Sequence, residues 1–247
     1  MAIFAIMRFM MLSSLPDTNG NGWGEVFLYG LGHDMRTFST IFLPIFLCGF
    51  LSYLNGFIRL NLSKAYQIFS TIYISIISFI VAIFAFIGYY YYQIYQNKID
   101  MFIFGFKDDD TAALISIIWN DYPVILILLC ALVFSILCGY LNSKILKIKF
   151  KKSNQPLWIL IICNIILIYA YAVALRAHPV YNALRASTYQ FSSFKPFNEI
   201  STNPIMALSW ASKEYKNQDN FPYVDINRGK ELQKRLFDMF ATTKQNP

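Results

Sequence analysis

Lys144-Ile-Leu-Lys-Ile-Lys-Phe-Lys-Lys152 places five lysines, and no acid, between two long apolar runs at residues 122–141 and 156–175. Lysine and arginine gather on the cytoplasmic side of membrane proteins, and the bias is carried by short loops near span ends. The stretch therefore reads as a cytoplasmic loop, and it gives every other segment a side. A nucleic-acid-binding loop is the rival reading. It fails on the flanks, since each run reaches the roughly 20 apolar residues that a spanning helix needs.

The bulk composition agrees. Of 247 residues, 56% are hydrophobic and 14% are charged, against about 25% charged in a typical soluble domain. The net charge of +7 would ordinarily raise nucleic acid as a partner. Much of that excess sits in the lysine loop, so topology explains it and no nucleic acid is expected. Cys48, Cys130, Cys138 and Cys163 all lie inside apolar runs. They lack metal-ligand spacing and read as small packing residues, not a disulfide framework.

Outward from the loop, the chain reads as an all-α polytopic membrane bundle of about five spans. Residues 1–15 form a short apolar run broken by Arg8, whose charge is costly in lipid unless it snorkels or pairs. The run is a first span, or a surface segment under a four-span count; the tail side is the same either way. Residues 16–36 are polar and glycine-rich and read as a connection. Residues 37–57 form the second span, a basic loop follows at 58–64, and residues 65–92 form the third. The third span ends in the interfacial cluster Tyr89-Tyr90-Tyr91-Tyr92. Residues 97–121 are acidic, with Asp109 or Asp110 placed to cap a short interfacial helix bearing Leu114, Ile117 and Ile118 on one face. The runs at 122–141 and 156–175 complete the set. Basic and acidic loops alternate, which puts the N-terminus inside and the tail from Arg176 outside. Residues 1–175 are the membrane domain and 176–247 a helical extracytoplasmic linker. In that linker Asn203 followed by Pro204 predicts a helix start, with Met206 and Trp210 facing inward. A second helix is expected at 228–240, with Leu232, Leu236, Phe237 and Phe240 on one face.

The chemistry of known catalytic motifs is missing: there is no HExxH, no G-x-S-x-G and no Walker loop, and the two histidines, His33 and His178, stand far apart in sequence. No catalytic, cofactor-binding or metal-ligating residue is assigned. The aspartates at 108–110 read as caps on a solvated loop. Between residues 37 and 175 the spans carry no acid, lysine or arginine away from their ends, which argues against an ion path.

Three blocks resemble the N-terminal membrane region of the lipoteichoic acid synthase-like family. The first is Gly30-Leu-Gly-His-Asp34-Met-Arg36. The second runs from Asp108-Asp-Asp-Thr111 through Ile118-Trp-Asn-Asp-Tyr-Pro123. The third is Arg185-Ala-Ser-Thr, then Phe197-Asn-Glu through Asn203-Pro-Ile-Met-Ala-Leu208. The resemblance covers nearly the whole chain. The family are membrane-anchored phosphoglycerol transferases of the alkaline phosphatase/sulfatase superfamily. It implies a membrane anchor for a phosphoglycerol or phosphoethanolamine transferase in the bacterial cytoplasmic membrane. It also implies a catalytic domain beyond the tail, carrying a threonine nucleophile and a divalent metal such as manganese, which nothing in this chain matches. Activity of this chain by itself is therefore not expected, and a separately encoded catalytic domain is an expected partner. Phosphatidylglycerol or phosphatidylethanolamine are the implied lipids; Asp34 and Arg36 at the membrane entrance, with Arg176, His178 and Arg185 on the same outer side, read either as interfacial anchors or as headgroup contacts. Arginine suits a lipid phosphate because it offers paired charge-assisted hydrogen bonds. A small stand-alone membrane protein, structural or a transporter subunit, is the alternative.

Overall fold

A computed structural model describes residues 1–15, 22–54, 62–107, 111–148, 157–176, 190–218 and 228–235. All regular structure among them is helical: α1 (Ala2–Ser13), α2 (Trp23–Leu54), α3 (Leu62–Tyr95), a 3₁₀ turn (Met101–Lys107), α4 (Thr111–Asp121), α5 (Val124–Leu146), α6 (Leu157–Arg176), α7 (Lys195–Ser201) and α8 (Pro204–Gln218). Residues 228–235 form α9. One compact unit comprises Met1–Ala211 and a second comprises Ser212–Pro247. The first extends past residue 175 to take in α7 and the first turns of α8.

Two helices are long and apolar enough to cross a membrane, Lys64–Tyr95 and Val124–Leu146; Ala2–Ser13 and Ile161–Arg176 are shorter apolar helices. The first unit has an apolar core that includes Phe4, Leu12, Val26 and Ile200, yet much apolar surface lies outside it. Leu126, Leu129, Val133, Ile136 and Ile165 are each more than half exposed, while Arg8, His33, Asp34 and Asn203 are almost wholly buried. A helix that is apolar on every side wants an apolar surround, and an exposed apolar surface of this extent marks a membrane or partner face.

The tightest packing in the unit joins α3 to α5. On α5 the buried residues are Ala131, Ser135 and Gly139, four apart and so on one face. Ser135 Oγ donates to the Ser75 carbonyl at 2.6 Å. Asn142 Nδ2 donates to Ser70 Oγ and Thr71 Oγ1, each at 3.2 Å. Small residues let the backbones approach, and short polar side chains then bond across the seam.

The glycine-rich stretch before residue 37 is not a loop throughout. Helix begins at Trp23 and runs unbroken to Leu54. A turn lies at Gly22, where φ is +83°. From Trp23 onward the glycines stand within the helix, and tertiary contacts override their weak helix propensity. Phe4 and Phe38 meet at 5.7 Å, and Phe9 lies edge-on to Trp23 at 6.0 Å.

The helix expected at 111–120 is present as α4, with Ile115, Ile117, Ile118 and Trp119 exposed; its proposed caps, Asp109 and Asp110, lie outside the described residues. In the second unit, α9 carries the exposed i,i+4 pair Arg235–Glu231 at 2.7 Å, and Leu232 is 48% exposed. Residues 236–240 lie outside the described residues.

A buried polar clasp as the candidate functional site

The one charge in the apolar helix α1 organises one end of the unit. Arg8 Nη1 donates to Asp34 Oδ2 at 2.8 Å and Nη2 to Asp34 Oδ1 at 2.7 Å. This is the paired fork geometry in which guanidinium and carboxylate bind best. Nη2 also donates to the Gly30 carbonyl at 3.1 Å, and Nε to the Ser201 carbonyl at 3.2 Å. A β-carbon at residue 30 would collide with the guanidinium, so glycine there lets the arginine pass close to the α2 backbone. Both charged residues are 1% exposed. A buried pair is tolerable only when further hydrogen bonds support it, and here the Gly30 and Ser201 carbonyls accept from the guanidinium as well.

Asn203 joins the pair to the segment after α6. Its Nδ2 donates to Asp34 Oδ1 at 3.1 Å and to Thr37 Oγ1 at 3.0 Å, while its Oδ1 accepts from Met206 N–H at 2.9 Å. The last bond is the N-cap of α8 anticipated from Asn203-Pro204. Thr37 Oγ1 in turn donates to the His33 carbonyl at 2.9 Å. One asparagine thus caps a helix and closes a network across α1, α2 and α8. Ahead of it, Asn198 holds the incoming chain. It accepts from Phe191 N–H at 2.9 Å and Ser192 N–H at 3.1 Å, and it donates to the Ser192 carbonyl at 2.6 Å. Tyr29 stacks on Phe191 at 4.2 Å, and Lys98 pairs with Glu199 at 2.7 Å.

His33 is fully buried beside this network. Its Nδ1 lies 2.9 Å from Met206 Sδ. The thioether only accepts, so Nδ1 carries the proton and Nε2 presents a bare lone pair with no partner among the described residues. Trp210 meets the ring edge-on at 5.7 Å. Burial, then the positive charges of Arg8, Arg36 and Lys98, push its pKa down to about 3, so the imidazole is neutral at physiological pH. Met206 and Trp210 are buried, as their helical positions predicted.

The anticipated headgroup residues are not brought together among the described residues. Asp34 and Arg36, two apart on α2, point to different sides of the helix. Asp34 is taken up by Arg8 and Asn203 instead. Arg36 is half-buried, and Arg176 is exposed at the end of α6. His178 and Arg185 lie outside the described residues. No group of three or more His, Cys, Asp or Glu residues with metal-binding proximity occurs among the described residues. Thr37 and the partnership of Arg8 with Asp34 were not singled out by the sequence. The signal was present: an arginine in an apolar helix needs a counter-ion, and acids are scarce before residue 100.

Fold and site define a helical protein with two helices able to cross a membrane and a buried ionic clasp that seats a following helical segment. Comparison of the chain with family models, curated proteins and solved structures gives no match.

Proposed function

We propose that this chain is the membrane-anchoring domain of a lipoteichoic acid synthase-like phosphoglycerol or phosphoethanolamine transferase of the sulfatase superfamily. It resides in the bacterial cytoplasmic membrane with about five spans, the N-terminus inside and the tail outside. Its role is to mount a metal-dependent catalytic domain at a fixed place over the outer leaflet, where phosphatidylglycerol or phosphatidylethanolamine supplies the headgroup. The observation that carries this reading is the clasp. Four guanidinium bonds and the Asn203 bridge seat α7 and the start of α8 on α1 and α2, so the segment leaving the bundle starts from a rigid base. Holding a reacting group in place is itself a large catalytic contribution, and a stiff mount supplies it where a loose tether would not.

Two measurements test the proposal. Reporters fused at Ser153 should read cytoplasm and those at Asn97 and Asn217 the outside; an external signal at Ser153 sinks the topology. In vesicles of phosphatidylglycerol and phosphatidylethanolamine with manganese, the purified chain should release no headgroup alone. A sulfatase-fold catalytic domain of this family joined after Gln218 should do so faster than the same domain free in solution. Equal rates for joined and free domain would remove the mounting role.

A further inference from the structure

The Arg8 clasp joins α1 and α2 to residues 201–203. A second polar joint lies where the same segment meets α3. A cavity of about 10 Å³ is lined there by the polar residues Tyr92, Lys98, Glu199 and Thr202 and by the apolar Met7, Met11 and Ile99. Gly88 and Pro204 belong to the same wall, and a β-carbon at residue 88 would collide with the proline ring. Glycine at that position brings the start of α8 hard against α3 and leaves only this small space beside the contact.

Tyr92 is 1% exposed, and its hydroxyl has no hydrogen-bond partner among the described residues. A buried hydroxyl left unpaired is costly, so such groups in native proteins are met by protein or by ordered water. Glu199 lies near enough for its charge to act on that hydroxyl, yet no bond joins the two directly. Polar groups that share a cavity wall just beyond direct reach have the geometry of a water bridge.

Three features identify the occupant. The volume is that of about one water-sized sphere, enough for a single water and too little for an organic ligand. The wall is polar, whereas cavities that stay dry are apolar. The carboxylate is already neutralised, since Lys98 Nζ stands 2.7 Å from Glu199 Oε2, so the site carries no surplus charge to draw in a metal ion.

We propose that one water molecule is bound in this cavity as a fixed part of the fold. It accepts from the Tyr92 hydroxyl and donates to the Glu199 carboxylate, with Thr202 Oγ1 in the same wall as a second acceptor. The water ties α3 to α7, so the segment after α6 is seated on α3 as well as on α1 and α2. The inference goes beyond the mounting role and does not depend on it.

Two measurements on the full chain test it. A crystal structure grown in a lipid mesophase, fine enough to show ordered solvent, should place one round density peak about 2.7–3.0 Å from both the Tyr92 oxygen and a Glu199 carboxylate oxygen. Tyr92→Phe should lower the thermal midpoint of the detergent-solubilised chain by about 2–4 °C, as loss of one working hydrogen bond requires. The sign of that shift is decisive, because deleting a hydroxyl that bonds to nothing would raise the midpoint. A midpoint unchanged or raised in Tyr92→Phe overturns the proposal. So does a cavity without a peak, or a Tyr92 hydroxyl bonded straight to Glu199. Contacts shortened to about 2.4 Å would mark a metal cation in place of water and overturn it equally.

Discussion

Arg8→Met should lower the thermal unfolding midpoint of the detergent-solubilised chain by roughly 10 °C. Removing one partner of a buried ion pair leaves the other charge uncompensated, at about 3–5 kcal/mol, and each kcal/mol moves the midpoint of a chain this long by about 2–4 °C. Asp34 would be the stranded group, held at 1% exposure with Asn203 its remaining donor among the described residues. The double variant Arg8→Met, Asp34→Leu should recover most of the loss, because an apolar pair of similar volume carries no desolvation cost. Amide exchange should separate the local effect from the global one. In Arg8→Met, protection should fall first across residues 195–211, where the Ser201 carbonyl has lost its donor. His33 adds a pH dependence to the same melts. Its folded pKa of about 3 lies below the ordinary histidine value near 6.5, so the unfolded chain takes up a proton that the folded chain refuses. Stability is complete above the ordinary value and declines as pH falls from there toward 3. His33→Gln should flatten that decline. A single variant as stable as the parent, or a double variant no better than the single, would show that the pair does not hold the clasp.

The sequence made the helices legible because their signal is local. The helices themselves, the Asn203-Pro204 start and the inward face bearing Met206 and Trp210 all follow from spacing along one helix; of the runs read as spans, those in Lys64–Tyr95 and Val124–Leu146 are long and apolar enough to cross a membrane. What failed was partner choice. Asp34 is expected, with Arg36, at a lipid headgroup, yet the fold commits it to an ion pair. Its partner lies 26 residues back on another element. Likewise the connection read from the glycines at residues 20 and 22 extends to residue 36, whereas Gly30 within it serves close approach, which becomes visible only when the Arg8 side chain is seen crossing that backbone. Arg8 itself carried a usable clue in its cost. A charge in an apolar segment demands a counter-charge, and Asp34 was among the few acids on hand. The bridging role of Asn203 had no comparable clue, because its capping role already accounted for it.

Gly139→Leu should be the most damaging single change in the α3–α5 seam. A β-carbon at residue 139 would already meet Ser75 Oγ, closer than any real contact; a leucine would force the helices apart along their length. Overpacking of a tight interface costs about 1–3 kcal/mol by itself. Here separation also strains the Ser135 bond to the Ser75 carbonyl and the Asn142 bonds to Ser70 and Thr71, each worth about 0.6 kcal/mol in an apolar surround. The summed loss is about 3 kcal/mol or more, a fall near 10 °C on the same scale. Gly139→Ala should cost less, and Ser75→Gly should rescue it, since the obstructing hydroxyl is then gone. Val133→Leu, at a position 65% exposed on the opposite side of α5, should leave the melt unchanged. The rescue is the decisive arm. If Gly139→Ala destabilises and Ser75→Gly does not restore it, the cost arises from something other than contact between residue 139 and the Ser75 hydroxyl.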